Sequence, residues 1–200
     1  MENPLISYTR DSIRSSHDLI GAILSNGELI HKVVAAAEAC VSALKNGHKI
    51  LLAGNGGSAA DCQHIAGELV SRFEFDRPGL PAIALTVDTS IMTAIGNDYG
   101  YVKLFERQLQ SLAQPGDIFF AYSTSGNSPN IIRALEFTKT HSITSIGFTG
   151  NRKGAMNALC DHLLEIPSES TPKIQEGHLV IGHIICGLIE KAIFSSATSA

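Results

Sequence analysis

The 200-residue chain has no tryptophan, only 17% charged residues and a net charge of just −4. Each shortage excludes something. Without a basic surplus there is no electrostatic footprint for nucleic acid. A small net charge on a chain that is 44% hydrophobic excludes intrinsic disorder. The four cysteines, Cys40, Cys62, Cys160 and Cys186, form no C-x-x-C pair and no zinc-finger spacing. They read as buried, reduced thiols, which fits a reducing cytoplasm. The opening MENPLISYTRDSIRSSHDL lacks the basic and apolar regions of a secretory signal. No uninterrupted apolar run reaches the ~20 residues that span a bilayer. The longest candidate, Leu179–Ile193, is broken by His183, Glu190 and Lys191. A cytoplasmic protein with neither membrane nor nucleic-acid partners is expected. The low charged fraction, against about 25% in an ordinary domain, points to a well-filled α/β core or to apolar surface covered by other subunits.

What is present is an alternation of two periods. Residues 1–47 carry apolar positions at helical spacing and end at Gly47, a suitable helix stop. Short apolar runs then read as buried parallel strands: Lys49–Ala53, Ala82–Leu85, Ile118–Tyr122, Thr144–Phe148 and His162–Ile166. Helical patterns lie between them at Ser58–Phe73, Ser90–Ile95, Val102–Leu112, Pro129–Thr140 and Ala155–Leu159, and a last one spans Ile174–Phe194. This alternation predicts an α/β fold with a doubly wound, parallel, five-stranded sheet flanked by helices and preceded by a helical extension.

In such sheets ligands bind at the carboxyl ends of the strands. Two loops stand there. Gly54-Asn55-Gly56-Gly57-Ser58 follows the first strand and opens a helix. With Ala59 it matches G-x-G-x-x-A, a weak dinucleotide fingerprint. The acidic candidates Glu74 and Asp76 sit in a polar loop, SRFEFDRPG, with no strand before it, which argues against a dinucleotide. The second loop, Ser123-Thr124-Ser125-Gly126-Asn127-Ser128-Pro129, brings four hydroxyls to a helix start without a Lys or Arg. Hydroxyls, backbone N–H groups and the helix dipole together can hold a phosphate. An ordinary capped turn, with Ser128 as N-cap, has the same composition.

Asp61, His64 and Glu68 line one stripe of the helix after the first loop. An imidazole and a carboxylate at i, i+4 suit a divalent metal such as zinc; a solvated helix face is the plainer alternative. In the last helix Gln175, Glu176, His178 and His183 interrupt an apolar run. Gln175 and His183 are eight residues apart, roughly 12 Å along a helix. They can share a metal only if Gln175 lies on a non-helical segment near Pro172 or if they come from different subunits. Asn97-Asp98, after the short Ser90–Ile95 helix, suits sugar hydroxyls or a turn.

AGNGGSAAD, the H-x-x-x-E pair at His64 and Glu68, AIGNDYG, STSGNS and IQEGH with a later His together resemble the phosphoheptose isomerase family. The resemblance covers nearly the whole chain. It implies a flavodoxin-like sugar isomerase (SIS) domain over residues 48–194, N-terminal helices 1–47 that pack on the domain and in the oligomer, and a flexible tail 195–200. It implies conversion of sedoheptulose 7-phosphate to D-glycero-D-manno-heptose 7-phosphate for lipopolysaccharide or capsule. It implies one zinc ion per subunit held by His64, Glu68, Gln175 and His183. Sugar contacts would come from Asn55, Gly56, Gly57, Ser58, Asn97, Asp98 and Gln175, and phosphate contacts from Ser123, Thr124, Ser125 and Ser128. Glu68 would be the base, His183 the acid, and Asp61 would relay a proton or orient His64. The family is a homotetramer with active sites between subunits. Two other readings share these loops: a non-enzymatic relative that binds the DnaA replication initiator, and an isomerase of another sugar phosphate.

Overall fold

The computed structural model describes residues 3–195. Two helices, α1 (Pro4–Ser25) and α2 (Gly27–Lys45), precede a sheet whose strands are β1 (Ile50–Ala53), β2 (Ala82–Ala84), β3 (Ile118–Tyr122), β4 (Thr144–Gly150) and β5 (His162–Ile166). Between the strands run α3 (Gly57–Val70), α4 (Thr89–Tyr99), α5 (Leu104–Leu112) and α6 (Pro129–Thr140); α7 (Thr171–Phe194) closes the chain. The five strands are all parallel, in the order β2-β1-β3-β4-β5. From β1 the chain steps outward to β2, then returns to the other side of β1 for β3. That reversal opens a crevice at the carboxyl ends of β1 and β3, where both glycine and hydroxyl loops emerge.

Alternate residues of the central strands feed two cores. Ile50, Leu52, Phe120, Tyr122 and Phe148 pack under α2, α3 and α7. Leu51, Ala53, Phe119 and Ala121 pack under α5 and α6. Each fully buried large side chain contributes about 2 kcal/mol. Strands covered on both faces are why these segments read as continuous apolar runs.

Several boundaries differ from the sequence expectation, each for a local reason. The single N-terminal helical stretch is two helices, because the Asn26 side chain accepts from Leu29 N–H and starts a new helix there. Gly47 is the stop, with φ of +81°. Residues 155–158 form only a short 3-10 turn. The Ser90–Ile95 helix extends to Tyr99, capped by Asp88 accepting from Ile91 N–H, so Asn97 and Asp98 are helical and not in a loop. The last helix begins at Thr171, with Pro172 in its first turn; Gln175 is therefore helical, and the non-helical placement is excluded. By length and composition α7 could cross a membrane. Here it packs on the sheet, with Ile174, Ile181, Ile185 and Ile189 buried. Of the expected tail, residues 196–200 lie outside the described residues.

Candidate active site

The first loop leaves β1 and turns into α3 at Gly56, whose φ of +57° suits glycine. No side chain caps α3; Ser58 N–H donates to the Asn55 carbonyl at 3.1 Å and Ala59 N–H to the Gly56 carbonyl at 3.0 Å. Gly57 is needed for a different reason: a Cβ there would meet the Gln175 amide at about 2.5 Å. Ser58 is buried. Asn55 is held in a reciprocal amide pair with Asn130, at 2.9 and 2.8 Å, and its Oδ1 also accepts from the Tyr101 hydroxyl at 2.9 Å. Neither Asn130 nor Tyr101 figures in the sequence expectation. The available signal was a polar residue in the first, inward-facing turn of α6, where Asn130 is almost fully buried.

The second loop gathers its hydroxyls locally. Ser123 Oγ lies 2.8 Å from Ser128 Oγ and 3.4 Å from Ser125 Oγ, and accepts from Ser128 N–H. Ser128 stands at the N-cap of α6, yet its hydroxyl does not cap the helix. The expected cap is absent because Ser123 engages that hydroxyl. The Thr124 carbonyl accepts from Gly150 N–H and ties the loop to β4.

The third cluster joins two helices. His64 and Glu68 on α3 meet His183 on α7: His64 Nε2 lies 2.7 Å from His183 Nε2 and 3.4 Å from Glu68 Oε1. One donor atom from each residue lies within 4.8 Å of the others. Tetrahedral zinc with bonds of ~2.0–2.1 Å needs ligand atoms roughly 3.3 Å apart. A parting of the two imidazoles by a fraction of an ångström meets that, so the donor set fits a divalent ion. Among the described residues no thiol joins this group of converging donors. Burial pushes Cys186 up to about 12 and Cys62 well above the usual thiol range, so both stay protonated at neutral pH.

Four expected site residues stand apart from this trio within one protomer. Gln175 lies against Gly57 at the start of α3, two helical turns from the trio. Asn97 and Asp98 are exposed on α4, and Asn97 donates to Asp98 at 2.7 Å. Asp61 shares the α3 stripe, but its buried Oδ2 has no hydrogen-bond partner and burial raises its carboxyl. Through that oxygen it does not orient His64.

Residues 10–150 match the SIS domain family. The chain is 60% identical over 194 residues to the phosphoheptose isomerase of Burkholderia pseudomallei (strain 1710b), an alignment covering 97% of this chain and 98% of that protein. The chain belongs to the phosphoheptose isomerase family. Two solved phosphoheptose isomerases share its fold. The one from Francisella tularensis gives a TM-score of 0.88 at 35% identity, covering 94% of this chain and all of that one. The one from Neisseria gonorrhoeae gives 0.81 at 37% identity, covering 94% and 97%.

Proposed function

We propose that the chain interconverts sedoheptulose 7-phosphate and D-glycero-D-manno-heptose 7-phosphate in the bacterial cytoplasm, supplying heptose for lipopolysaccharide or capsule. The observation that carries this reading is the convergence of His64, Glu68 and His183 between α3 and α7, in a chain 60% identical to a phosphoheptose isomerase. Ser123, Thr124, Ser125, Ser128 and the N-terminus of α6 take the phosphate. Gly56, Gly57, Ser58 and Asn55 take sugar hydroxyls, with Asn55 oriented by Asn130.

The chemistry is a proton shift between C1 and C2. Glu68 removes a proton from C1 while His183 donates one to the C2 oxygen. His183, having given up its proton, then takes the O1 proton, C1 becomes the aldehyde carbon, and Glu68 returns its proton at C2. Glu68 Oε1 faces His64; Oε2 is the proton acceptor. A divalent ion held by His64, Glu68 and His183, when bound, supplies positive charge that polarises the carbonyl and steadies negative oxygen.

In this reading Gln175 serves a site in a neighbouring subunit of a homotetramer, because in its own protomer it lies two turns from the trio. Two separate apolar faces support such an assembly. One is a groove of about 330 Å³ between α1, α2 and α7, bordered by Ile20, Leu24, Ile30, Val34 and Ile184. The other is α4, none of whose residues is buried although Ile91 and Tyr99 are apolar. Closed assemblies of dimers need two kinds of contact, and large exposed apolar patches mark them. A cavity beside His183 and Phe73 shares Ile184 and Leu188 with the groove, so a subunit seated there reaches the site.

The test is turnover of sedoheptulose 7-phosphate by the purified protein, with metal content and mass measured together. Turnover that falls when metal is stripped and returns with zinc, in a tetramer, is expected. A fully active monomer refutes the shared site, and full activity in verified metal-free protein removes the metal.

A further inference from the structure

The polar loop SRFEFDRPG holds a buried ion pair that the reaction as described does not use. Arg77 and Glu190 meet at 2.9 Å, with side chains 2% and 0% exposed. Arg77 spends its guanidinium on the end of α3. It donates to the Glu68 carbonyl at 2.8 Å, the Leu69 carbonyl at 2.6 Å and the Ser71 carbonyl at 3.2 Å. Last-turn carbonyls have no partner within their own helix, and a cation there also complements the helix dipole. The last turn of α3 is the turn that carries Glu68.

Glu190 works on the other side. It sits on α7 seven residues after His183, two turns on and nearly the same azimuth. Its carboxylate accepts from Phe73 N–H at 3.0 Å and Glu74 N–H at 2.8 Å, besides Arg77. Burial alone would raise this carboxyl, but these three donors hold it below the usual range. The bonds seat Phe73 with its ring 5.5 Å from that of His183. A closed path results: Glu68, its carbonyl, Arg77, Glu190 and α7 to His183, with Phe73 as a wedge between loop and imidazole.

Stability alone does not require charge here, since a buried ion pair replaced by well-packed apolar residues is often neutral or better. What apolar residues cannot do is bind two carbonyls of α3 and two amides of the loop at once. We propose that Arg77 and Glu190 are positioning residues that set the separation of the α3 groups His64 and Glu68 from His183. The inference rests on the reading that this trio holds the metal and moves the protons.

The double variant Arg77→Met/Glu190→Leu removes both charges and keeps the volume filled. It is expected to stay folded by circular dichroism, with kcat roughly 10–100-fold lower and KM for sedoheptulose 7-phosphate within about threefold of wild type. Zinc affinity, measured by competition with a chromophoric chelator and needing no turnover, should weaken roughly 10–100-fold. A folded double variant with wild-type kcat and zinc affinity overturns the proposal. His64→Ala separates the two levels. If it abolishes zinc binding and turnover while the double variant does neither, the positioning role falls and the site reading stands. If His64→Ala changes nothing, both fall. Should the double variant not fold, Phe73→Leu takes its place. It should lower kcat about threefold to tenfold with KM unchanged, and an unchanged kcat overturns the proposal.

Discussion

The hydroxyl loop after β3 and the trio between α3 and α7 are built in opposite ways. Ser123 and Ser128 are five residues apart, and their hydroxyls meet within one turn of chain. His64 and His183 are 119 residues apart and meet only because two helices pack on the same sheet face. A site made locally is pre-formed once its strand and helix exist. A site made across the fold depends on everything that sets the helix spacing, including the loop from Ser71 to Gly79 and, in the proposed tetramer, a neighbouring chain. The first kind is suited to binding. The second is suited to chemistry that needs groups held by rigid elements from two directions.

Glu68→Gln is the strongest test of this division. Removing the base should lower kcat by roughly 10³-fold while KM changes little, measured by steady-state turnover of sedoheptulose 7-phosphate. Near wild-type rates would show that the trio is not where the proton moves.

The next expected effect concerns what keeps α7 in place. His178 is fully buried on α7, its ring edge-on to those of Tyr122 and Phe148, and burial pulls its pKa down to about 4. It is neutral in the folded state. Between the ordinary histidine value and about 4 the unfolded chain takes up a proton that the folded chain refuses. Stability is thus fully present above the ordinary value and lost as pH falls toward about 4. The loss approaches about 3 kcal/mol. Denaturant titrations at pH 7 and pH 4.5 measure it. In His178→Leu the acid limb should flatten, whereas an unchanged limb would assign the acid sensitivity elsewhere.

The same contrast explains what could be read from sequence. The five strands, the glycine loop and the hydroxyl loop are local patterns: an apolar run, then Gly or Ser, then a helix start. They are legible because their causes lie within a few residues. The stripe of Asp61, His64 and Glu68 is legible too, since helical geometry alone puts them on one face. What was not legible needed a partner from far along the chain. Asn130 matters because it meets Asn55, and Arg77 because it meets Glu190 and the end of α3. The helical pattern left Asn130 unremarked in the first turn of α6, and residue type left Arg77 in a polar loop. Ser128 is the reverse case: it is the N-cap that its residue type predicts, but its hydroxyl is drawn to Ser123.

Asn130→Ala should be milder than the acid effect. It leaves Asn55 with the Tyr101 hydroxyl alone, and a lost buried partner costs about 1–3 kcal/mol. A melting temperature several degrees lower, together with a raised KM, is expected; a raised KM at unchanged stability would give Asn130 a direct sugar contact.

Ser125→Ala should have the smallest effect. Ser125 is exposed, lies at a long 3.4 Å from Ser123 Oγ, and accepts from Asn127 N–H at 3.2 Å. Little of the fold depends on it, so stability should hold. A hydrogen bond to a charged phosphate is worth about 1.5–3 kcal/mol, but Ser123, Thr124, Ser128 and the α6 N-terminus remain. The expected rise in KM is therefore about threefold to tenfold at unchanged kcat. Isothermal titration with inorganic phosphate should show the same loss, because the probe reports the loop without the sugar. If kcat falls with KM constant, the loop takes part in the chemistry, and the division between a locally built binding end and a cross-fold reacting end breaks down.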